Sequence, residues 1–168
     1  VAKNWIRSQE KVNSDKNLRF FKTHNMLGKL NGYPFTNSKN TLGTIHIVRD
    51  PRNVISSIKH YYSLDNYEVA KKFIFDENRV IQGNYSLDNF PISTIISSWG
   101  VHYRSWNNVK KNYLLIKYEN ILNNPKDEFN KIINYLDKNL NLTFNNSKIE
   151  NAIKNSDFKK LKDQEKER

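Results

Sequence analysis

Residues 44–57 read TIHIVRDPRNVISS, and this stretch constrains the fold more than any other part of the chain. A β-rich, alternating run from Thr44 to Val48 ends at Arg49, and Asp50 and Pro51 then open an amphipathic helix. Aspartate is a favoured N-cap, and proline suits the first helical position because the N–H it lacks would be unpaired there. The helix is expected over Pro51 to Tyr62, with Val54, Ile55, Ile58 and Tyr62 on one face. A strand that runs straight into a helix start gathers free backbone N–H groups and the positive end of the helix dipole. Arg49 adds a planar guanidinium whose geometry suits phosphate oxygens. The junction reads as an anion site for a phosphate. As a short motif it reads equally as a helix cap beside a solvated arginine.

A second motif lies upstream. Leu18 to His24 reads LRFFKTH, a short apolar run that ends in a lysine, a hydroxyl and an imidazole. With Leu18 to Lys22 as a strand, Lys22, Thr23 and His24 emerge at its C-terminal end, the edge where open α/β sheets bind ligands. Lysine beside histidine combines a fixed positive charge with a group that accepts a proton near neutral pH. The chain has four histidines, His24, His46, His60 and His102, with none of the close spacings of a metal site, so no metal is expected. His46, within a strand pattern, and His60, on a helix, read as structural. His24 is the candidate base.

The remaining pattern alternates strands with helices. Tyr113 to Tyr118 (YLLIKY) is a third strand, nearly continuous in apolar residues as buried parallel strands are. Helices are expected over Tyr67 to Phe75, Ser93 to Lys110 and Pro125 to Leu136. The last has Asn124 as N-cap, Asp127 and Glu128 in its first turn, and Phe129, Ile132, Ile133 and Leu136 on its apolar face. Residues 25–42 and 82–91 carry Gly, Pro and Asn and read as loops. The alternation argues for an open α/β layer fold, a parallel sheet flanked by helices. With 168 residues and no second hydrophobic unit or long linker, one domain over residues 1–168 is expected.

The net charge of +11 raises a nucleic-acid reading. The lysines are dispersed, however, with only doublets such as Lys71-Lys72, Lys110-Lys111 and Lys159-Lys160, and no zinc-finger spacing occurs. A basic surface that attracts a polyanionic cofactor explains the charge as well, and no nucleic-acid partner is expected. The absence of cysteine excludes disulfides and thiolate metal sites. No apolar run approaches the roughly 20 residues of a membrane span. The default expectation is a cytoplasmic protein.

Taken together, these motifs resemble the sulfotransferase family that uses 3'-phosphoadenosine 5'-phosphosulfate (PAPS). Lys22-Thr23-His24 is similar to the family's catalytic segment. Arg49, with Ser57 eight residues later, is similar to its grip on the cofactor's 3'-phosphate. Ser98-Trp99, followed by His102 and Trp106, resembles the Ser-Trp helix beside the family's active site. Lys117-Tyr118-Glu119-Asn120 resembles its Tyr-Glu-Asp segment, whose tyrosine approaches the adenine, and Asn124-Pro125 then starts a helix. Ser156-Asp157-Phe158, followed by Leu161, resembles the segment whose aromatic ring contacts adenine. The resemblance runs in register from Lys22 to about Leu161. Read one at a time, Tyr118 and Phe158 fit packing, Ser57 fits bonding to its own backbone, and Trp99 and Trp106, seven apart, fit a core stripe.

The resemblance implies a P-loop NTPase-like α/β fold and an in-line transfer of a sulfuryl group from PAPS to an acceptor hydroxyl or amine. In that scheme His24 is the general base, and Lys22 stabilises charge on the bridging and leaving oxygens. Arg49 and Ser57 bind the 3'-phosphate, Tyr118 and Phe158 hold the adenine, and no metal is required. Two departures stand out. The family's Pro-Lys-Ser-Gly-(Thr/Asn)-Thr-Trp type of phosphate loop, with the strand before it, and its Arg-Lys-Gly segment after the Phe158 region have no counterpart here. The expectation is therefore a sulfotransferase-like domain incomplete at both ends. Its acceptor would be a small molecule, sugar or peptide, with residues 25–42 and 61–90 as the acceptor wall. The alternatives are a non-catalytic adenosine-bisphosphate or anion-binding domain and a basic nucleic-acid-binding domain.

Overall fold

The computed structural model describes residues 2–82, 93–107, 109, 112–156 and 160, which fall into two units. The first comprises Val1–Thr44 and Pro51–Lys111, the second Ile45–Asp50 and Asn112–Arg168.

The first unit opens with a 3-10 turn, Ala2–Asn4, and helix α1 (Trp5–Val12). A second 3-10 turn, Asn13–Asp15, stops that helix, with Lys16 closing it in the left-handed conformation at φ 58°. After an irregular stretch, β1 (Lys29–Leu30) and β2 (Tyr33–Pro34) form a tight hairpin that pairs Lys29 with Pro34 and Leu30 with Tyr33. Its two-residue loop is Asn31-Gly32, both at positive φ (52° and 82°), the pair that a type I′ turn favours. Helix α2 (Pro51–Tyr61) starts at the proline, as expected. Val54, Ile55 and Ile58 are half-buried, whereas Tyr62 lies past the helix end and stacks on Phe73 at 5.2 Å. Helix α3 (Tyr67–Phe75) has the expected bounds. Asn66 caps it by accepting the Val69 N–H at 3.0 Å, and Ala70 and Ile74, one turn apart, are its buried residues.

The expected helix over Ser93 to Lys110 is instead a strand followed by a shorter helix. Ser93–Ile95 forms β5, antiparallel to β4 (Val80–Gln82), with Val80 opposite Ile95. The β-branched run Thr94, Ile95, Ile96 loses side-chain freedom in a helix and fits a pleated strand. Ser97, at φ 59°, turns the chain, and helix α4 runs from Trp99 to Asn107. Ser98 caps it by accepting the Val101 N–H at 3.3 Å. Trp106 is buried, in edge contact with Phe35, which meets Trp5 in turn. Trp99 is half-buried and stacks on Tyr103.

In the second unit, β3 (Thr44–Val48) lies beside β6 (Tyr113–Lys117). Ile116 on β6 is fully buried, and His46 on β3 bonds the Tyr113 hydroxyl through Nδ1 at 2.8 Å, a packing role as expected. Tyr118 does not end the strand but opens a short helix, α5 (Tyr118–Asn123). Helix α6 (Pro125–Leu140) starts as expected at Pro125, although the Asn124 side chain makes no cap bond. It continues one turn past Leu136, because no breaker intervenes before Asn141 adopts the left-handed conformation that ends helices. Leu136 is buried and Phe129, Ile132 and Ile133 are half-buried, the expected face. Glu128 is only 4% exposed and is paired with Lys131. Helix α7 (Asn146–Asn155) is capped by Asn145, which accepts the Ser147 N–H at 2.8 Å.

Among the described residues no helix is long and apolar enough to cross a membrane.

Candidate active site

The segment from Lys16 to Leu27 is not a strand. No described strand pairs with residues 18–22, and Phe20 and Phe21 are 65% and 72% exposed. A strand needs a neighbour for its backbone N–H and C=O groups and a buried face for its side chains, and Leu18 to Lys22 has neither here. Local bonds set its course instead. Arg19 closes on Asp15 with both arms of its guanidinium, Nη1 to Oδ1 at 2.7 Å, and also reaches the Val12 carbonyl at 3.0 Å. The Arg19 guanidinium holds the Asp15 carboxyl well below the usual carboxylate range, helped by the Asn17 N–H.

The far end of the segment is fixed by β5 and α4. His102 donates from Nε2 to the His24 carbonyl at 3.2 Å, and Trp106 donates from Nε1 to the Asn25 carbonyl at 2.9 Å. Ser105 accepts the Leu27 N–H at 3.0 Å. From β5, the Ile95 N–H reaches Asn25 Oδ1 at 2.8 Å and the Ile95 carbonyl takes the Met26 N–H at 2.8 Å. Residues three and four apart share a helix face, so His102, Ser105 and Trp106 form one bracket. The Thr23 hydroxyl accepts the Asn25 N–H at 3.0 Å. The side chains of Lys22, Thr23 and His24 are exposed. The backbone is thus clamped while the chemistry-bearing groups stay accessible. Burial pushes the His102 imidazole below its ordinary value of 6.5, and the bond to the His24 carbonyl opposes that push.

A second cluster gathers in the other unit, at the end of β3. The Arg49 guanidinium lies over the Tyr118 ring, 5.0 Å from its centroid. The next peptide is fixed by Glu119, whose Oε1 accepts the Asp50 N–H at 2.9 Å. Strand β6 and the start of α5 therefore hold the Arg49-Asp50 turn twice, by a ring under the guanidinium and by a carboxylate on the backbone. Both side chains come from the first turn of α5, so its position sets the direction of the guanidinium. A half-buried planar cation at this point suits a phosphate oxygen pair.

The sequence model described as "Sulfotransferase domain" matches residues 3–168. The chain belongs to the sulfotransferase family.

Family relatives include dog (Canis lupus familiaris) sulfotransferase 1B1, 27% identical over 160 residues that make up 92% of this chain and 48% of the relative. Another is the guinea pig (Cavia porcellus) 3-beta-hydroxysteroid sulfotransferase, 27% identical over 96% of this chain and 53% of the relative. The chain thus spans about half the length of both. In three dimensions it resembles the mouse sulfotransferase SULT7A1, whose crystal structure is complexed with PAP. The TM-score is 0.53 at 22% identity, over 71% of this chain and 40% of that one. That likeness gives the fold, the P-loop-like α/β architecture of sulfotransferases with a parallel sheet and flanking helices.

Of the site residues expected from sequence, Arg49 and Tyr118 are brought together. Lys22, His24 and Ser57 belong to the first unit, with Ser57 half-buried on α2. Phe158 lies outside the described residues. Sequence reasoning placed Glu119, His102 and Trp106 within motifs of the resemblance but gave them no bonding role, and it passed over Asn25 and Ser105. The spacing of His102, Ser105 and Trp106, three polar-edged side chains on one helical face, was the available signal, although half of it reads as a core stripe.

Proposed function

We propose that this sulfotransferase-family chain moves a sulfuryl group from PAPS to an acceptor hydroxyl or amine. The observation that carries the reading is the Arg49-Asp50 turn. There an arginine plane is held over Tyr118 and the next peptide, at Asp50, is tied to Glu119, which supports a grip on the 3'-phosphate by the residue that resembles the family's motif.

When bound, PAPS supplies the sulfuryl group and a leaving phosphate. Arg49 and Ser57 hold the 3'-phosphate through charge-assisted bonds and a hydroxyl donor. Tyr118 orients the guanidinium and offers its edge to the adenine, and Phe158 adds a ring contact. His24 takes the proton from the acceptor as its oxygen or nitrogen attacks, a role open to an accessible imidazole near neutrality. Lys22 places a positive charge where negative charge grows on the bridging oxygen. The chemistry needs no metal.

The acceptor is a small molecule, sugar or peptide, and similarity to a guinea pig 3-beta-hydroxysteroid sulfotransferase makes a steroid alcohol a first probe. The test is transfer of label from 35S-labelled PAPS to a panel of phenols, steroid alcohols, amines and sugars by the full-length protein. Label should appear on an acceptor and be lost with His24→Ala. No transfer to any acceptor, despite tight binding of 3'-phosphoadenosine 5'-phosphate, would leave a nucleotide-binding domain without the reaction.

A further inference from the structure

We infer that His102 is a positioning residue for sulfuryl transfer, acting through the backbone of His24. The inference rests on the assignment of His24 as the base.

The His24 side chain is exposed, so packing does little to restrict where its imidazole points. What fixes the residue is its main chain. His24 and Asn25 present successive carbonyls to α4, and ring N–H groups one helical turn apart take one each: His102 at 3.2 Å and Trp106 at 2.9 Å. The two bonds differ in what they hold. Trp106 is a buried core residue whose N–H would be wanted by any nearby carbonyl, so its bond anchors the unit. His102 is only half-buried and touches the peptide that carries the base itself. The bond to His24 stops the peptide rotating, which would swing the Cα–Cβ bond and with it the imidazole. Catalytic groups act only within about 1 Å of the productive geometry, and a displacement of that size costs on the order of a hundredfold in rate.

Burial keeps the His102 ring in its neutral form near pH 7, and the bond to a carbonyl requires the N–H on Nε2. Toward the His24 peptide the ring therefore acts as a fixed donor. Asn25 supports it from the other side, its Oδ1 taking the Ile95 N–H so that the peptide after His24 cannot slide along β5.

The test uses the full-length protein with 2-naphthol as the acceptor probe, and dehydroepiandrosterone if the phenol is not turned over. Four variants are compared: His102→Phe, His102→Gln, His24→Ala and the double variant His24→Ala/His102→Phe. For each, kcat, KM, the Kd for 3'-phosphoadenosine 5'-phosphate and Tm are measured. His102→Phe should lower kcat about tenfold or more with KM and Kd within twofold, and His102→Gln, which keeps an N–H donor, should recover most of the loss. In the His24→Ala background the Phe substitution should cost nothing further, since its effect passes through the imidazole. A His102→Phe kcat within twofold of wild type overturns the inference, as does a loss repeated in full without His24. Where His24→Ala leaves no turnover to divide, the decision passes to His102→Gln, and failure to recover kcat at unchanged Tm overturns it. A His24→Ala enzyme with wild-type kcat overturns the base assignment instead, and wild-type inactivity on both probes and on the whole panel of phenols, steroid alcohols, amines and sugars overturns the transfer reading; either removes the inference with it.

Discussion

The Lys22–Leu27 segment and the Arg49-Asp50 turn both carry residues assigned to the reaction, and they are held in opposite ways. In the first, the backbone is irregular and Lys22, Thr23 and His24 are exposed, while rings and a hydroxyl from α4 grip the main chain from outside. In the second, a regular strand delivers the residue, and the restraint falls on the side chain itself, with Tyr118 under the guanidinium. A group that must exchange a proton with a changing acceptor gains from an accessible side chain on a clamped backbone. A group that must hold one phosphate in one place gains from a side chain fixed in its plane. The contrast matches a division between chemistry and binding, and it can be broken residue by residue.

The largest effect is expected from His24→Ala, which removes the proposed proton acceptor. Kcat should fall by about 10² to 10⁴, while calorimetry shows unchanged affinity for 3'-phosphoadenosine 5'-phosphate. A matching loss of affinity would erase the division. Arg49→Ala should do the reverse. Losing a charge-assisted bond costs about 1.5–3 kcal/mol, so affinity should drop roughly 10- to 150-fold for the 3'-phosphorylated nucleotide and not for AMP.

Smaller effects sharpen the comparison. Trp106→Phe keeps the ring in the core and deletes only the donor to Asn25. It should cost about 0.5–1.5 kcal/mol of stability, read as a lower denaturant midpoint at unchanged m. Tyr118→Ala removes the platform under Arg49, a cation–π contact of about 0.5–1 kcal/mol, and should weaken nucleotide binding only a few-fold, with Tyr118→Phe near wild type if the ring face alone matters.

The mildest prediction concerns pH. The folded pKa of His102 lies below its ordinary value of 6.5, chiefly through burial, so the folded state binds fewer protons than the unfolded state just below that pH. This contribution to stability is complete above about 6.5 and declines as the pH falls toward the lower folded value. Urea midpoints at pH 7.5 and 5.5 should differ more in wild type than in His102→Gln. An equal difference would mean that other groups set the dependence.

The two regions also differ in how far the sequence disclosed them. The Thr44–Val48 strand and the Pro51 helix start were legible because their signals are local: alternation, an arginine and a proline at the first helical position. The Asn31-Gly32 turn carries a similar local signature, although residues 25–42 read only as a loop. Leu18 to Lys22 carried an equally apolar run, but a strand is made by its neighbours, and no described strand pairs with that run. The Ser93–Ile95 strand was hidden in a helix pattern for the converse reason: its partner, Val80–Gln82, lies outside any local window. The bracket on His24 was the least visible feature, because its bonds reach from side chains to backbone across about eighty residues, 78 for His102 and 81 for Trp106, and backbone atoms leave no trace in a sequence. Glu119 escaped for the same reason, since its partner is the Asp50 N–H.

The central claim is that Arg49 reads the 3'-phosphate while His24 serves the transfer. It is tested most directly by calorimetric titration of 3'-phosphoadenosine 5'-phosphate, against AMP, into the full-length wild type, Arg49→Ala and His24→Ala. Tight binding that requires the 3'-phosphate is expected, lost in Arg49→Ala and retained in His24→Ala. Weak, salt-sensitive binding of both nucleotides, equal in all three proteins, would contradict it and leave a basic domain with a coincidental motif.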